Sequence, residues 1–158
     1  MTPEAFNINA ALNTAAITLL GGISLFVLER VLERVFINPI QKQKEIIEEI
    51  AVSLIRYATF YNQPVSVNYS EDSVFRQRRV DAKDKTRELA AQLKVRTNGV
   101  LFYKIWSKIG YVIPQNKIEE AYRELIGLSN SYFENRDGSR NSERAEKIRN
   151  FLKIPKDS

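Results

Sequence analysis

The segment Ala5 to Leu28 contains no charged side chain, and this feature constrains the fold of the 158-residue chain more than any other. Its most apolar part, residues 10–28, would form a helix about 28 Å long at ~1.5 Å rise per residue. Because that length matches the hydrocarbon thickness of a bilayer, the segment is predicted to be a transmembrane helix. A buried central helix of a soluble bundle, which is also apolar on all sides, is the main structural alternative.

A secretory signal peptide is a weaker interpretation of the same segment. Such a peptide has a positively charged start and a small-residue cleavage site. Here Glu4 is the one charged side chain before the apolar run, and helix-like sequence follows Leu28 directly. The segment is therefore interpreted as a retained anchor.

The flanks of the apolar run predict its orientation. Residues 1–9 contain no Lys or Arg, whereas Arg30, Arg34, Lys42 and Lys44 follow the run. Cytoplasmic flanks carry the excess of Lys and Arg, so the N-terminus is expected outside a bacterial inner (plasma) membrane. The predicted order is an exterior stretch (1–9), a transmembrane helix (10–28), a juxtamembrane helix with an elbow at Pro39 (29–40) and a cytoplasmic helical domain (41–155).

Composition narrows the chemistry of the cytoplasmic part. From Pro39 onward there are 22 Lys and Arg against 16 Asp and Glu, which suits an anionic membrane surface or a nucleic acid. Cysteine and histidine are absent, which removes thiol nucleophiles, the commonest general base and most transition-metal sites. The protein is therefore expected to be non-enzymatic and to need no cofactor or metal.

Two glutamate clusters at helix-surface spacing are interpreted as solvated charge: Glu45, Glu48 and Glu49, and Glu119, Glu120 and Glu124.

Apolar periodicity predicts an all-α fold, with one transmembrane helix followed by a bundle of about four helices. Helices are expected over 41–61, 80–97 and from 116, where Asn116 and Glu119 match a capping box, with a last short helix closed by Pro155. Loops are expected over 62–75, with a short extended piece at 65–69, and over 135–141. The predicted buried positions are Ile47, Ile50, Ala51, Leu54, Ala58 and Tyr61; Ala82, Thr86, Leu89, Ala90 and Leu93; Ile118, Ala121, Tyr122, Leu125, Leu128, Ser129 and Tyr132; and Ala145, Ile148, Phe151 and Leu152.

The segment from Leu89 to Ile118 has no acidic residue and is the best candidate for a working surface. If residues 100–109 are helical, one broad apolar face carries Leu101, Phe102, Ile105, Trp106 and Ile109 beside two lysines. Such a helix would either lie at the membrane surface or form part of the bundle core. The candidate membrane-surface residues are Arg96, Phe102, Lys104, Trp106 and Lys108.

Small residues at Ala11, Ala15, Thr18 and Gly22 lie at helical spacing on one side of the predicted anchor. Small side chains allow two membrane helices to approach closely. This face is a candidate for self-association or for contact with another membrane protein.

Two other functions remain open. A soluble nucleic-acid-binding protein would use Arg76, Arg78 and Arg79 with the aromatic residues of the acid-free segment for phosphate contacts and stacking. A membrane-perturbing effector would oligomerise through its anchor. Anionic liposomes are expected to bind the basic domain better than oligonucleotides do.

Five stretches of the sequence carry a resemblance to known proteins: Pro39-Ile40, Ile50-Ala51 to Tyr61, Arg87 to Ala90, Tyr103 to Pro114, and Glu120-Ala121 with Leu125 to Ser131. Together they resemble small uncharacterised bacterial single-pass membrane proteins with a helical cytoplasmic domain. The resemblance implies a single span and cytoplasmic helices, and it brings no catalytic residues. The protein is therefore predicted to bind a partner or the inner membrane surface through its basic helical domain.

Overall fold

The protein is all-helical in a computed structural model that describes residues 8–62, 73–133 and 138–155, and no strand occurs within those ranges. The chain divides into two compact units, Met1–Asn38 and Pro39–Ser158, and the second is called the body below. The helices are α1 (Ile8–Leu32), a π-helical segment (Glu33–Ile37), α2 (Asn38–Arg56), α3 (Ala58–Asn62), α4 (Ser73–Asn98), α5 (Tyr103–Lys108), α6 (Gln115–Ser131) and α7 (Gly138–Leu152).

Helix α1 is long and apolar enough to cross a membrane, judged by length and composition. Every described side chain from Leu12 to Leu32 is exposed. Two hydroxyls in this helix are satisfied by its own backbone, since Thr18 donates to the Thr14 carbonyl at 2.9 Å and Ser24 donates to the Leu20 carbonyl at 2.8 Å. Such bonds make polar side chains compatible with an apolar solvent.

The predicted interruption at Pro39 takes the form of the π-helical segment, and the backbone stays helical into α2. The Asn38 amide donates to the Glu33 carbonyl, which is one residue farther back than an α-helical bond reaches. Proline lacks an amide proton and its ring crowds the carbonyl four residues earlier. The wider π turn immediately before Pro39 is one of the local adjustments that accommodate this crowding.

The core of the body lies where α6 packs against both α4 and α7. The predicted inner faces of α4 and α6 are confirmed, except that Tyr122 is half-buried. On α2 the predicted Ile50 is fully buried and Ile46 is buried with it, whereas the predicted Ile47 is half-buried. Four long helices with the short α3 and α5 between them agree with the predicted bundle.

Three predicted boundaries are wrong. Helix α4 begins at Ser73 rather than Val80, and the predicted helix over 41–61 is interrupted at Tyr57, between α2 and α3. Helix α6 begins at Gln115 with Pro114 as its N-cap, and no side-chain cap bond is present, so the capping box at Asn116 does not form. The Pro114 carbonyl accepts the Lys117 and Ile118 amides, which moves the start of the helix one residue ahead of the predicted cap.

The turn predicted over 135–141 is also wrong in its described part, because α7 begins at Gly138. A Cβ on Gly138 would lie 2.1 Å from the Asn62 carbonyl oxygen, so this close approach requires glycine. Asn141 is buried and its amide donates to the Tyr61 carbonyl at 2.9 Å, which joins α7 to the end of α3. The extended piece predicted at 65–69, most of the loop around it, and residues 135–137 lie outside the described residues.

Arg79 forms a buried clamp between three helices. Its guanidinium donates to the Phe60 carbonyl in α3 at 3.3 Å and to the Tyr132 carbonyl after α6 at 3.0 Å. It also lies over the rings of Phe60 and Phe75, at 6.0 and 5.4 Å from their centroids. Carbonyls near helix C-termini carry partial negative charge, so they stabilise a buried cation.

Candidate membrane interface

Helix α5 is a short helix with a defined end on each side. Phe102 precedes it in the left-handed region, at φ 54° and ψ 34°. Gly110 follows it at φ 82°, where the Gly110 amide donates to the Ser107 carbonyl at 3.2 Å and the Tyr111 amide donates to the Trp106 carbonyl at 2.9 Å. This is a Schellman motif, which normally places an apolar contact between the two residues of its longer bond. The Trp106 and Tyr111 rings provide that contact at 5.8 Å.

One side of the α5 segment packs onto the start of α2. Val100 and Val112 are buried with Ile40, and Tyr103 and Trp106 pack against this small cluster. The cluster is separate from the main core around α6. The core alternative for residues 100–113 therefore holds for Val100 and Val112, whereas no residue of α5 itself is fully buried.

A hydrogen-bond network holds α5 in this position. The buried Gln43 amide donates to the Thr97 hydroxyl and to the Tyr103 hydroxyl, both at 2.9 Å. The Tyr103 hydroxyl in turn donates to the Ile113 carbonyl. Burial raises the pKa of Tyr103 above its ordinary value, and the Gln43 hydrogen bond partly lowers it. The network fixes α5 against α2 and the end of α4, so the opposite side of α5 keeps a fixed orientation on the body.

That opposite side is an exposed apolar surface, called the α5 patch below. Its side chains are between 52% and 63% exposed. Trp106 was predicted on the same face, but it is half-buried against the Ile40 cluster. The broad face expected from periodicity is therefore divided in two. The α5 patch consists of Leu101, Phe102, Ile105, Ile109 and Tyr111.

The predicted cationic residues differ in their surroundings. Lys104 and Lys108 are exposed on α5 itself, among the patch residues. Arg96 is half-buried and donates to the Lys42 carbonyl at 3.1 Å and to Glu45 at 3.4 Å. Arg96 therefore ties α4 to the start of α2, while the two lysines are exposed to solvent.

Sequence reasoning missed the two residues that organise this region. Gln43 interrupts the apolar series formed by Ile40, Ile46 and Ile50, and a polar residue at such a position signals a buried hydrogen bond. Gly110 follows an apolar run and marks the end of a helix. Both signals are present in the sequence, but neither identifies the contacting partner.

The small-residue face of α1 is only partly described. Ala15, Thr18 and Gly22 are exposed, whereas the side chain of Ala11 lies outside the described part of the structure. A Cβ placed on Gly22 would meet nothing within 4 Å. Association through this face stays a prediction.

The arginines proposed for phosphate contacts do not form one surface. Arg76 and Arg78 are exposed, but Arg79 is buried in its clamp, so the prediction that Arg79 could contact a phosphate is wrong. Several of the glutamates predicted to be solvated charge have ion-pair partners within the described part of the chain. These pairs are Glu45 with Arg96, Glu119 with Lys94 and Arg123, Glu120 with Lys117, and Glu124 with Arg144.

Comparison with known proteins adds no relative from which a function could be transferred. The chain matches no family model, no curated protein and no solved structure. Its resemblance to small bacterial membrane proteins therefore stays a prediction, and the functional argument depends on the chain's own residues.

Proposed function

We propose that this is a single-pass protein of the bacterial inner membrane that acts by binding rather than catalysis. Helix α1 spans the bilayer with the N-terminus outside, and the basic helical body lies in the cytoplasm. The α5 patch inserts into the cytoplasmic leaflet, so the body rests on the membrane that anchors it.

The observation that carries this proposal is the attachment of the α5 patch to the start of α2. Ile40 and Gln43 hold α5, and both follow α1 closely along the chain. A patch attached to the first turns after a span is kept near the headgroups by connectivity alone. Tethering raises its effective concentration at the surface, so a weak contact is sufficient.

The side chains of the patch suit this location. Burying an exposed Leu, Ile or Phe contributes up to about 1.5–3 kcal/mol per side chain, and tyrosine favours the headgroup level. Each lysine near an anionic leaflet adds about 1 kcal/mol. Lys104 and Lys108 provide this electrostatic attraction, and the sequence has no acidic residue between Leu89 and Ile118 to oppose it.

The single tryptophan of the chain provides the test. Trp106 lies beneath the α5 patch, so bromine atoms on lipid acyl chains should quench its fluorescence if the patch inserts. We would reconstitute the full chain into vesicles of phosphatidylcholine and phosphatidylglycerol with and without brominated acyl chains. Strong quenching is expected. Trp106 fluorescence that is unchanged by brominated lipid would contradict the proposal.

Two substitutions separate membrane insertion from folding. Phe102→Gly removes an aromatic side chain from a left-handed position that glycine adopts freely, so the fold is expected to keep its stability while quenching falls. Ile105→Gln should also reduce quenching. Val95→Gln is the matched control, because Val95 is exposed on α4 and lies outside the patch. Equal quenching in all three variants would show that the patch does not insert.

A further inference from the structure

A groove of about 300 Å³ lies on the body beside the α5 patch. It runs between α2, the segment that follows α5 and the chain after α7. Its size is at the lower end of the range for small-molecule sites. The apolar side chains that line it include Ile47, Ala51, Val112, Ile113, Leu152 and Ile154.

Charged residues among the groove's lining favour an anion. Lys44 and Lys153 both line the groove, with Glu48 as the acidic residue among its lining side chains. Lys153 has φ 54°, and the Ile154 amide donates to the Arg149 carbonyl at 2.9 Å, which is a helix ending that usually uses glycine. A lysine therefore occupies a strained backbone position beside an apolar groove.

The groove is continuous with the proposed membrane contact, because Tyr111 belongs to both the α5 patch and the groove lining. Lys44 lies about 9 Å along α2 from Asn38, within the first turns after the span. We infer that the groove receives one acyl chain of an anionic phospholipid from the cytoplasmic leaflet, with the lipid phosphate bound by Lys44 and Lys153. This inference rests on the proposed function, since it takes its ligand from the leaflet on which the patch lies.

Photolabelling of the full chain tests the inference directly. We would place the protein in phosphatidylcholine nanodiscs containing phosphatidylglycerol with a diazirine on its acyl chain, irradiate them and map labelled peptides by mass spectrometry. Labelling is expected within residues 44–51 and 152–155. Diazirine-bearing phosphatidylcholine should label these peptides less. Equal labelling by the two lipids, or no labelling of either peptide, would overturn the inference.

Two variants make the assignment specific. Ala51→Phe should fill the groove and abolish the labelling, whereas Val52→Phe, on an exposed position of the same helix, should leave it unchanged. Lys153→Gly relieves the left-handed backbone and removes one cation. It should therefore keep the fold at least as stable while reducing phosphatidylglycerol labelling about fivefold, the equivalent of ~1 kcal/mol. Undiminished labelling in both Ala51→Phe and Lys153→Gly would place the lipid elsewhere.

The two proposals fail in distinguishable ways. Quenching of Trp106 without groove labelling would overturn the lipid site and leave the membrane contact of the α5 patch. Groove labelling without quenching would support the lipid site and overturn insertion of the patch.

Discussion

Helices α1 and α6 contain similar apolar side chains but use them differently. In α6 the apolar residues recur on one side, and Ile118, Ala121, Leu125 and Leu128 are all buried by other helices. In α1 they occur on every side and are exposed along the described length. One-sided apolarity predicts a partner within the chain, whereas all-round apolarity without burial predicts a partner outside it.

The largest expected effect comes from shortening one leucine in each region. Leu89→Ala in the body core should lower the free energy of unfolding by about 2–5 kcal/mol, because it leaves a cavity. Leu19→Ala in α1 removes the same atoms from an exposed site and should change the stability of the body by less than about 0.5 kcal/mol. Denaturant unfolding of the full chain in nanodiscs, followed by near-UV circular dichroism, measures both. Similar losses would remove the distinction between the two regions.

The next effect concerns insertion of α1. Leu20→Arg should cost about 2.5–3.5 kcal/mol of insertion free energy, because it places a charge near the centre of the proposed span. Carbonate-washed membranes should retain the unmodified chain and lose this variant, while Val95→Arg on the body surface should be retained. A C-terminal tag should be protected from protease in spheroplasts. Release of the unmodified chain into the soluble fraction would restore the nucleic-acid alternative.

High pH should lower the free energy of unfolding of the body and leave the membrane retention of the chain unchanged. Burial raises the pKa of Tyr132 to about 12, and the Thr86 hydrogen bond lowers it in part. Because the folded pKa lies above the unfolded value, the associated stability is complete below pH ~10 and falls by about 2–3 kcal/mol as the pH rises to ~12. Residues 5–28 contain no charged side chain, so membrane retention of the chain should not follow this decline.

Tyr132→Phe is the control for this pH dependence. The Thr86 hydroxyl donates to the Ala82 carbonyl at 2.8 Å and so keeps a partner in the variant. The free energy of unfolding, measured between neutral and alkaline pH, should fall less steeply in this variant than in the unmodified chain. If the free energy of unfolding falls equally steeply in both proteins, groups other than Tyr132 cause the loss of stability. Tyr61 is one such group, because burial also raises its pKa.

The smallest expected effect tests the motif that orients the α5 patch. Gly110→Ala should cost about 1–2 kcal/mol, since an L-residue is strained in the left-handed region. Gly99→Ala is the matched control, because its backbone lies outside that region and an added Cβ would make ordinary contacts at 3.5 and 3.8 Å. Hydrogen exchange over residues 103–112 should accelerate in the first variant alone. Matching exchange in the two variants would contradict a role for the motif.

Periodicity predicted the body helices well where a single apolar side exists. In α4, Ala82, Leu89 and Leu93 recur on one side and are all fully buried. Periodicity could not decide which of the adjacent Ile46 and Ile47 is buried. Both residues fit an apolar face of α2, because a face shifted by one residue is still apolar. The choice depends on which helices pack against α2.

The exposure of part of the candidate interface was predicted, but its arrangement was not. Within the acid-free aromatic segment, Phe102, Lys104 and Lys108 are exposed, whereas contact of this segment with a membrane stays a prediction. Its division into an inner and an outer side depends on Ile40 and Gln43, which lie far away in sequence. Local spacing contains no information about such distant contacts.

The Arg79 clamp has a consequence for the order of folding. The guanidinium donates to the Phe60 and Tyr132 carbonyls, so α3, α4 and the end of α6 must all be docked before these hydrogen bonds form. Until then, burial of this cation is unfavourable. The clamp is therefore expected to form after the folding transition state, and Arg79→Leu should accelerate unfolding while leaving the folding rate nearly unchanged. Arg79 would then set how long the body stays folded rather than how fast it folds.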